Sequence, residues 1–412
     1  MRRLLFLLLA LLAIAVPQAA ADTMLGEQRV LVLLVTWGPE PFSRETVEGV
    51  VLGEAGTWFR DASYGRTALS GDVTPWLKAL ATRPECNQRF ISRVARDAAQ
   101  AAGYNLASYK RFVFLHPRID CPFAGQGSGE QAWLNGVLWR SLVVHELGHT
   151  YGLPHANTWE CRGGGCSAVE YGNPYSVMGN GEGHFGAHEK FSLGWLSNVA
   201  TAGKAGEYEL RRLEVETAAP QALKVTTARN EYWLEYRAAT PDARGRTLAG
   251  GVLVNAGANP FAMLDAIPEY GQYNLLLPNP AGRGTPALVV GDRFREPGAF
   301  EVTVNAADES VVRLGFAWLD TTRPLVKSVD RPRRAGRFIE VSWTEARESG
   351  SGVGYYEVAL DGAVPRRIET GLSTATATFL PKPPRGTHVV SVVAVDRAGN
   401  RSTRTTRRFT VT

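Results

Sequence analysis

The chain has 412 residues, 44% of them apolar and 21% charged, with a net charge of +5 at neutral pH. That length exceeds one ordinary domain, and the composition suits packed cores rather than a disordered or fibrous chain. The charge is mild and no Lys/Arg cluster or basic helical face concentrates it, which argues against a nucleic-acid partner.

The opening stretch MRRLLFLLLALLAIAVPQAAA carries two arginines, an apolar run from Leu4 to Val16 and small residues ending at Ala21. Charged start, short apolar run and A-x-A end make a signal peptide, expected to be cut between Ala21 and Asp22. The mature protein would then be secreted, extracellular or periplasmic, and two positive charges lighter. A bilayer span needs about 20 apolar residues and Pro17 interrupts the run before that; no second stretch is long enough, so no stable membrane span is expected. Four cysteines suit an oxidising compartment. Cys86, Cys121, Cys161 and Cys166 allow three pairings; the glycine-rich spacer between Cys161 and Cys166 favours that pair, with Cys86 joined to Cys121.

QRVLVLLVTW, residues 28–37, reads as a buried strand. Apolar residues at Val47, Val50, Val51, Trp58, Phe59 and Ala62 then predict a helix capped by Ser43 and stopped at Gly65. ISRVARDAAQAAG predicts a second helix closing at Gly103, and KRFVFLHP another strand. In the glycine-rich CPFAGQGSGE, Ala124 to Ser128 form either an edge strand able to pair with an extended peptide or a flexible loop. A helix beginning after Gly136 follows, with VLWRSLVV as its apolar body. Past Gly203 the texture changes to short β-like runs such as EYWLEYR and GGVLVNA, and a break near Asp320–Pro324 precedes FIEVSW and THVVSVVAVD. The expected organisation is multidomain: signal peptide 1–21, an α/β (α+β) catalytic domain 22–200, an all-β sandwich 201–320 and an all-β module 321–412.

The chemistry concentrates in VVHELGHTYGLPH, residues 143–155. On a helix, His145 and His149 share one face, about 40° apart, so both imidazoles reach one ion. Glu146 is rotated about 100° from His145, off the ion but near a water beside it. Gly152 permits the left-handed turn that ends the helix, and Pro154 blocks its continuation, so His155 can return to the same ion. Three imidazoles and one open position suit a single catalytic Zn²⁺ ion.

His145, Glu146, His149, Gly152 and His155 match the H-E-x-x-H-x-x-G-x-x-H pattern of the metzincin metallopeptidases, which this segment resembles. The resemblance implies a metzincin-like zinc domain with Glu146 as general base and a methionine turn beneath the metal, here Met178 in NPYSVMGN. Within that group the chain looks most like the gametolysin family, through Ser63-Tyr64-Gly65, CPFAGQGSGEQAW, the approach to SVMG, and FSLGWL. A secondary likeness to immune inhibitor A peptidases rests on Leu193-Gly194-Trp195, Glu235-Tyr236-Arg237 and Leu264-Asp265. Some metzincins place an oxyanion-stabilising Tyr two residues after the turn methionine. Here that position is Asn180, which leaves Tyr171 or Tyr175 as substitutes, and His184 as a cleft residue or alternative ligand.

Glu170, Asn173 or Asp265 suggest calcium, but no D-x-[DN]-x-[DN]-G loop supports it and solvated loop polarity accounts for them. His188 reads as a partner of His184 near the site, His116 and His388 as structural. The last module resembles fibronectin type III or Ig-like domains, as a spacer or as a contact to a polymer or cell surface. The expected function is a secreted zinc endopeptidase acting on protein or peptide substrates. The rival is a secreted adhesin or matrix-binding protein with a vestigial zinc domain, against which the intact Glu146 and histidines argue.

Overall fold

The computed structural model describes residues 24–80, 82–162, 165–242, 245–257, 274–278, 286–370 and 375–412; the side chains of 161, 162, 165, 166, 274 and 275 fall outside that set. The expected signal peptide and the Leu264-Asp265 element lie outside the described residues.

The first sheet is built from β1 (Gly26–Leu34), β2 (Thr67–Val73), β3 (Arg111–His116), β4 (Gly125–Ser128) and β5 (Gln131–Asn135). Their order is β2-β1-β3-β5-β4, parallel except for β4, which runs antiparallel to β5 at the edge. β1 is apolar throughout because both its faces are covered. Val30, Val32 and Leu34 pack with Trp58, Phe59, Val143 and Leu147, while Leu31, Leu33 and Val35 pack with Ala95, Ala99 and Phe114. Helices therefore lie on both sides, and the apolar helix carrying the histidines is seated on the first of these faces.

The helix expected from Ser43 to Gly65 is present but not uniform. Ser43 caps α1 (Arg44–Glu48), accepting from the Thr46 amide, and Gly49–Glu54 forms a π-helical turn before α2 (Ala55–Ala62). Hydrophobic spacing cannot register one widened turn, because the buried stripe continues on either side of it. Gly65 ends the segment with φ +75, as its lack of a Cβ permits. α3 (Gln88–Ala101) is capped by Asn87, and Cys86 is disulfide-bonded to Cys121 with Cα atoms 5.3 Å apart. α4 spans Arg140–Thr150, so Val137, Leu138 and Trp139 precede the helix rather than forming its body. Trp139 is extended at its N-cap, which corrects the expected start.

After α4 the chain forms a hairpin of β6 (Ala156–Arg162) and β7 (Gly165–Val169), then α5 (Ala187–Ser192). The register sets Cys161 opposite Cys166, but the expected bond between them falls on side chains outside the described residues. β6 pairs in parallel with Asn274–Leu276, which places the hairpin in a seven-stranded sheet with Gly251–Gly257, Glu231–Arg237, Ala222–Thr226 and Val199–Thr201. That sheet therefore crosses the boundary expected at residue 200. A four-stranded sheet of Gly206–Arg211, Arg293–Glu296, Phe300–Ala307 and Val311–Trp318 shares its core, where Leu234, Val252 and Tyr232 meet Phe300, Val302 and Leu314. Thr240–Pro241 and Thr247–Leu248 form a two-stranded sheet, and the strands from Arg333 onward make three- and four-stranded sheets around Trp343, Tyr356, Val358 and Val392.

A buried ion network joins the large sheet to the loop before α5. The Arg237 guanidinium donates to Glu214 at 2.7 Å and Glu235 at 2.9 Å, and to the carbonyls of Tyr175 at 3.1 Å and His184 at 3.2 Å. Glu235 in turn accepts from the Ala187 amide. Tyr64 reaches the same region: its hydroxyl donates to the Leu213 carbonyl and receives Lys190 Nζ at 3.0 Å. Burial pushes the Lys190 ammonium down to about 7. Removing one member of a buried pair leaves the others charged and uncompensated. Arg237→Met should therefore lower unfolding stability by about 3–5 kcal/mol in denaturant titration; a change under about 1 kcal/mol would show that the network is not structurally coupled.

Candidate metal centre

His145 and His149 leave α4 on one face with rings 4.7 Å apart. Each ring is fixed through Nδ1, His145 against the Val177 carbonyl and His149 against the Leu153 carbonyl, both at 2.8 Å. A carbonyl oxygen only accepts, so both Nδ1 atoms carry the proton and both Nε2 atoms present lone pairs. Those two Nε2 atoms face each other at 3.0 Å. Burial, with help from the neighbouring histidine, pushes His145 down to about 4, and burial lowers His149 as well. Both are therefore neutral, and two uncharged lone pairs aimed into one space call for an electrophile between them.

His155 completes the set. The turn that returns it has Gly152 at φ +82, with its amide bonded to the His149 carbonyl at 3.0 Å. One ring nitrogen from each of His145, His149 and His155 lies within 4.8 Å of the other two, the only such group of metal-binding side chains among the described residues. Nitrogens on a tetrahedral zinc ion with bonds of ~2.05 Å stand about 3.3 Å apart, so the three imidazoles suit such an ion with small adjustments.

The floor is made by the segment holding Met178, which is fully buried. A Cβ on Gly148 would sit 2.5 Å from Met178 Sδ, so only glycine lets the turn approach the helix this closely. The same turn supplies the Val177 carbonyl that orients His145, while the Met178 carbonyl accepts from Ala156 at 2.8 Å.

Glu146 lies beside the cluster, facing β4. Burial raises its carboxyl to about 8, and the Gly127 amide donates to it in the opposite sense. A cation held by the imidazoles would also favour the carboxylate. The open cavity in front, about 720 Å³, is lined by Phe123, the β4 glycines, the three histidines, Glu146 and Tyr171. Ala124–Ser128 thus provides an edge strand over Gly125–Ser128 rather than an irregular loop. Its glycines face α4: a Cβ on Gly125 would lie 2.6 Å from Glu146 Oε1, and one on Gly127 would lie 2.2 Å from the Glu146 carbonyl.

The other candidates separate in space. Tyr171 lies in the cavity, its ring centroid 3.8 Å from that of His155. Tyr175 is fully buried and its hydroxyl donates to the Ala249 carbonyl at 2.7 Å, away from the cavity lining. His184 stands in a neighbouring recess of about 300 Å³ with Trp58, Arg140 and Arg237, and is not a member of the three-histidine group. His188 packs beside Trp233, and His388 pairs with Asp361 in the last module. Glu170, read from sequence as loop polarity, contacts His155 Nδ1 at 2.8 Å. The role of Gly127 was also missed, although the alternating glycines of G-Q-G next to a motif helix are a sign of close backbone approach.

Residues 48–243 match the model of a family described as gametolysin peptidase M11. No curated protein matches the chain. Among solved structures, similarity is found to the spore cortex lytic enzyme SleM of Clostridium perfringens, at 19% identity over 26% of this chain and 34% of that one, with a TM-score of 0.20. It is found too to the central fibronectin-III array of RIM-binding protein, at 17% identity over 22% and 37% of the two chains and a TM-score of 0.20. Fibronectin(III)-like modules of Clostridium thermocellum CbhA match at 16% identity over 22% and 95%, with a TM-score of 0.17. The chain thus spans about a third of the length of the first two, and scores this low bear on neither fold nor function.

A Cβ at residue 127 has no free space, whereas one at Gly203 meets nothing within 4 Å. Gly127→Ala should cost about 1–3 kcal/mol by overpacking the strand against the helix, and Gly203→Ala less than about 0.5 kcal/mol. Equal, small effects in parallel thermal melts would mean that β4 is not seated on α4.

Proposed function

Residues 48–243 are gametolysin-like, and from that premise we propose that the protein is an exported, zinc-dependent endopeptidase of the metzincin type, hydrolysing extracellular protein or peptide substrates. The observation that carries the reading is the pair of Nε2 lone pairs held 3.0 Å apart by carbonyl acceptors behind each ring, with His155 closing the third side. In this reading His145, His149 and His155 hold the ion, and Met178 packs beneath the helix as its floor.

Zinc at such a site supplies Lewis acidity, polarising the scissile carbonyl and acidifying water. The chain's own residues do the rest. Glu146, placed beside the cluster and held by the Gly127 amide, takes a proton from the attacking water and passes it to the leaving amine. The free edge of β4 pairs with an extended substrate backbone and sets the scissile bond over Glu146, reading backbone rather than side chains. Tyr171, facing the cavity beside His155, is the oxyanion partner this geometry favours over the buried Tyr175. In this reading the catalytic region, about 22–200, is joined to the following β-module through Arg237 and the pairing of β6, and the last module acts as a spacer.

The rival adhesin reading predicts a folded, metal-loaded protein without turnover. Casein or gelatin zymography separates the two: clearing is expected, lost with a chelator and restored by zinc. Glu146→Ala should reduce activity by about 10²–10⁴-fold while retaining metal content. Folded, zinc-loaded wild type that clears nothing would sink the endopeptidase reading.

A further inference from the structure

The three imidazoles are not held alike. His145 and His149 are backed by neutral carbonyls on the turns next to α4. His155 is instead backed by a carboxylate: its Nδ1 lies 2.8 Å from Glu170 Oε1. The difference follows from where His155 sits. It is beyond the helix, after Gly152 and Pro154, and just before β6, so no helical turn fixes its ring. Glu170 comes from the other end of the same hairpin, just after β7.

The return of that hairpin is closely specified. Tyr171 adopts φ +57, a left-handed conformation rare for a non-glycine residue, and its amide donates to Asn157 Oδ1 at 3.0 Å. Gly172 follows where a Cβ would lie 2.1 Å from Thr158 Oγ1, and the Asn173 amide donates to the Ala156 carbonyl at 3.1 Å. These contacts aim Glu170 at the Nδ1 edge of His155 and lay the Tyr171 ring against its face, centroids 3.8 Å apart. β6 belongs to the seven-stranded sheet, so the third imidazole is oriented by a hairpin of that sheet, and the two carried by α4 by carbonyls of the turns packed against it.

We propose that Glu170 is a positioning residue for the metal centre: its carboxylate accepts the Nδ1 proton of His155, holds that ring in the tautomer with Nε2 toward the ion, and raises its donor strength. The inference rests on the metal-site reading above. A carboxylate behind a ligating imidazole does what a carbonyl does and adds charge, and loss of such partners weakens metal affinity by about 10–100-fold. Glu170 contributes orientation rather than fold stability, because its side chain is 54% exposed and an exposed pair contributes little to folding.

The test uses the full chain with Glu170→Ala and Glu170→Gln. Zinc affinity is read by competition with a chromophoric chelator, ligand geometry by the visible absorption of the Co²⁺-substituted protein, and folding by thermal melts of metal-free protein. Glu170→Ala should weaken zinc binding about 10–100-fold and alter the Co²⁺ spectrum, with the metal-free melting temperature unchanged. Glu170→Gln keeps an acceptor and should fall between Ala and wild type. Wild-type affinity in both variants overturns the proposal alone, as does a metal-free melting temperature that falls in step with affinity. A folded wild type that binds no zinc overturns the metal-site reading and this proposal together.

Discussion

Two neutral imidazoles whose lone pairs are pressed to 3.0 Å are an unfavourable arrangement unless something positive lies between them. The rings cannot relieve it by exchanging tautomers, since each Nδ1 already gives its proton to a carbonyl. Nor do they relieve it by charging, because burial holds both below the usual histidine range. The strain is maintained from outside, by the turn at Gly152 that presents the Leu153 carbonyl and by the Met178 segment that presents the Val177 carbonyl. A site organised this way is complementary to a cation rather than to another side chain.

Holding the Met178 segment in place is a task shared across the chain. Arg237, from a central strand of the large sheet, bonds the Tyr175 and His184 carbonyls on either side of the turn. β6 leads from His155 straight into that sheet. The helix that carries two imidazoles and the sheet that carries the support of the third therefore meet at the centre. The β-rich segment after residue 200 is part of what shapes the site rather than an appendage, which also gives a physical reason for a family match that runs on to residue 243.

What was legible in the sequence is what is local. His145, His149, Gly152 and His155 reveal themselves because helical spacing and a single turn decide where those side chains go. Ser43, Gly65 and the continuous apolar run of β1 were legible for the same reason. Glu170, Gly127 and Arg237 were not, since each acts across a distance that only sheet pairing settles. Glu170 meets His155 because a hairpin closes, Gly127 meets Glu146 because β4 takes the edge position, and Arg237 meets a loop 62 residues away. The π-helical turn at Gly49–Glu54 was hidden for a different reason: it leaves the buried stripe intact. The early start assigned to α4 came from reading Val137 and Leu138 as helix body, when both precede the helix and Leu138 packs against the core ahead of it.

The most direct test of the central claim is the metal itself. Elemental analysis of the purified, zinc-loaded protein should give one zinc per chain, and anomalous scattering at the zinc edge should place one peak between His145, His149 and His155. Folded protein without stoichiometric zinc, or a peak located elsewhere, would contradict the account.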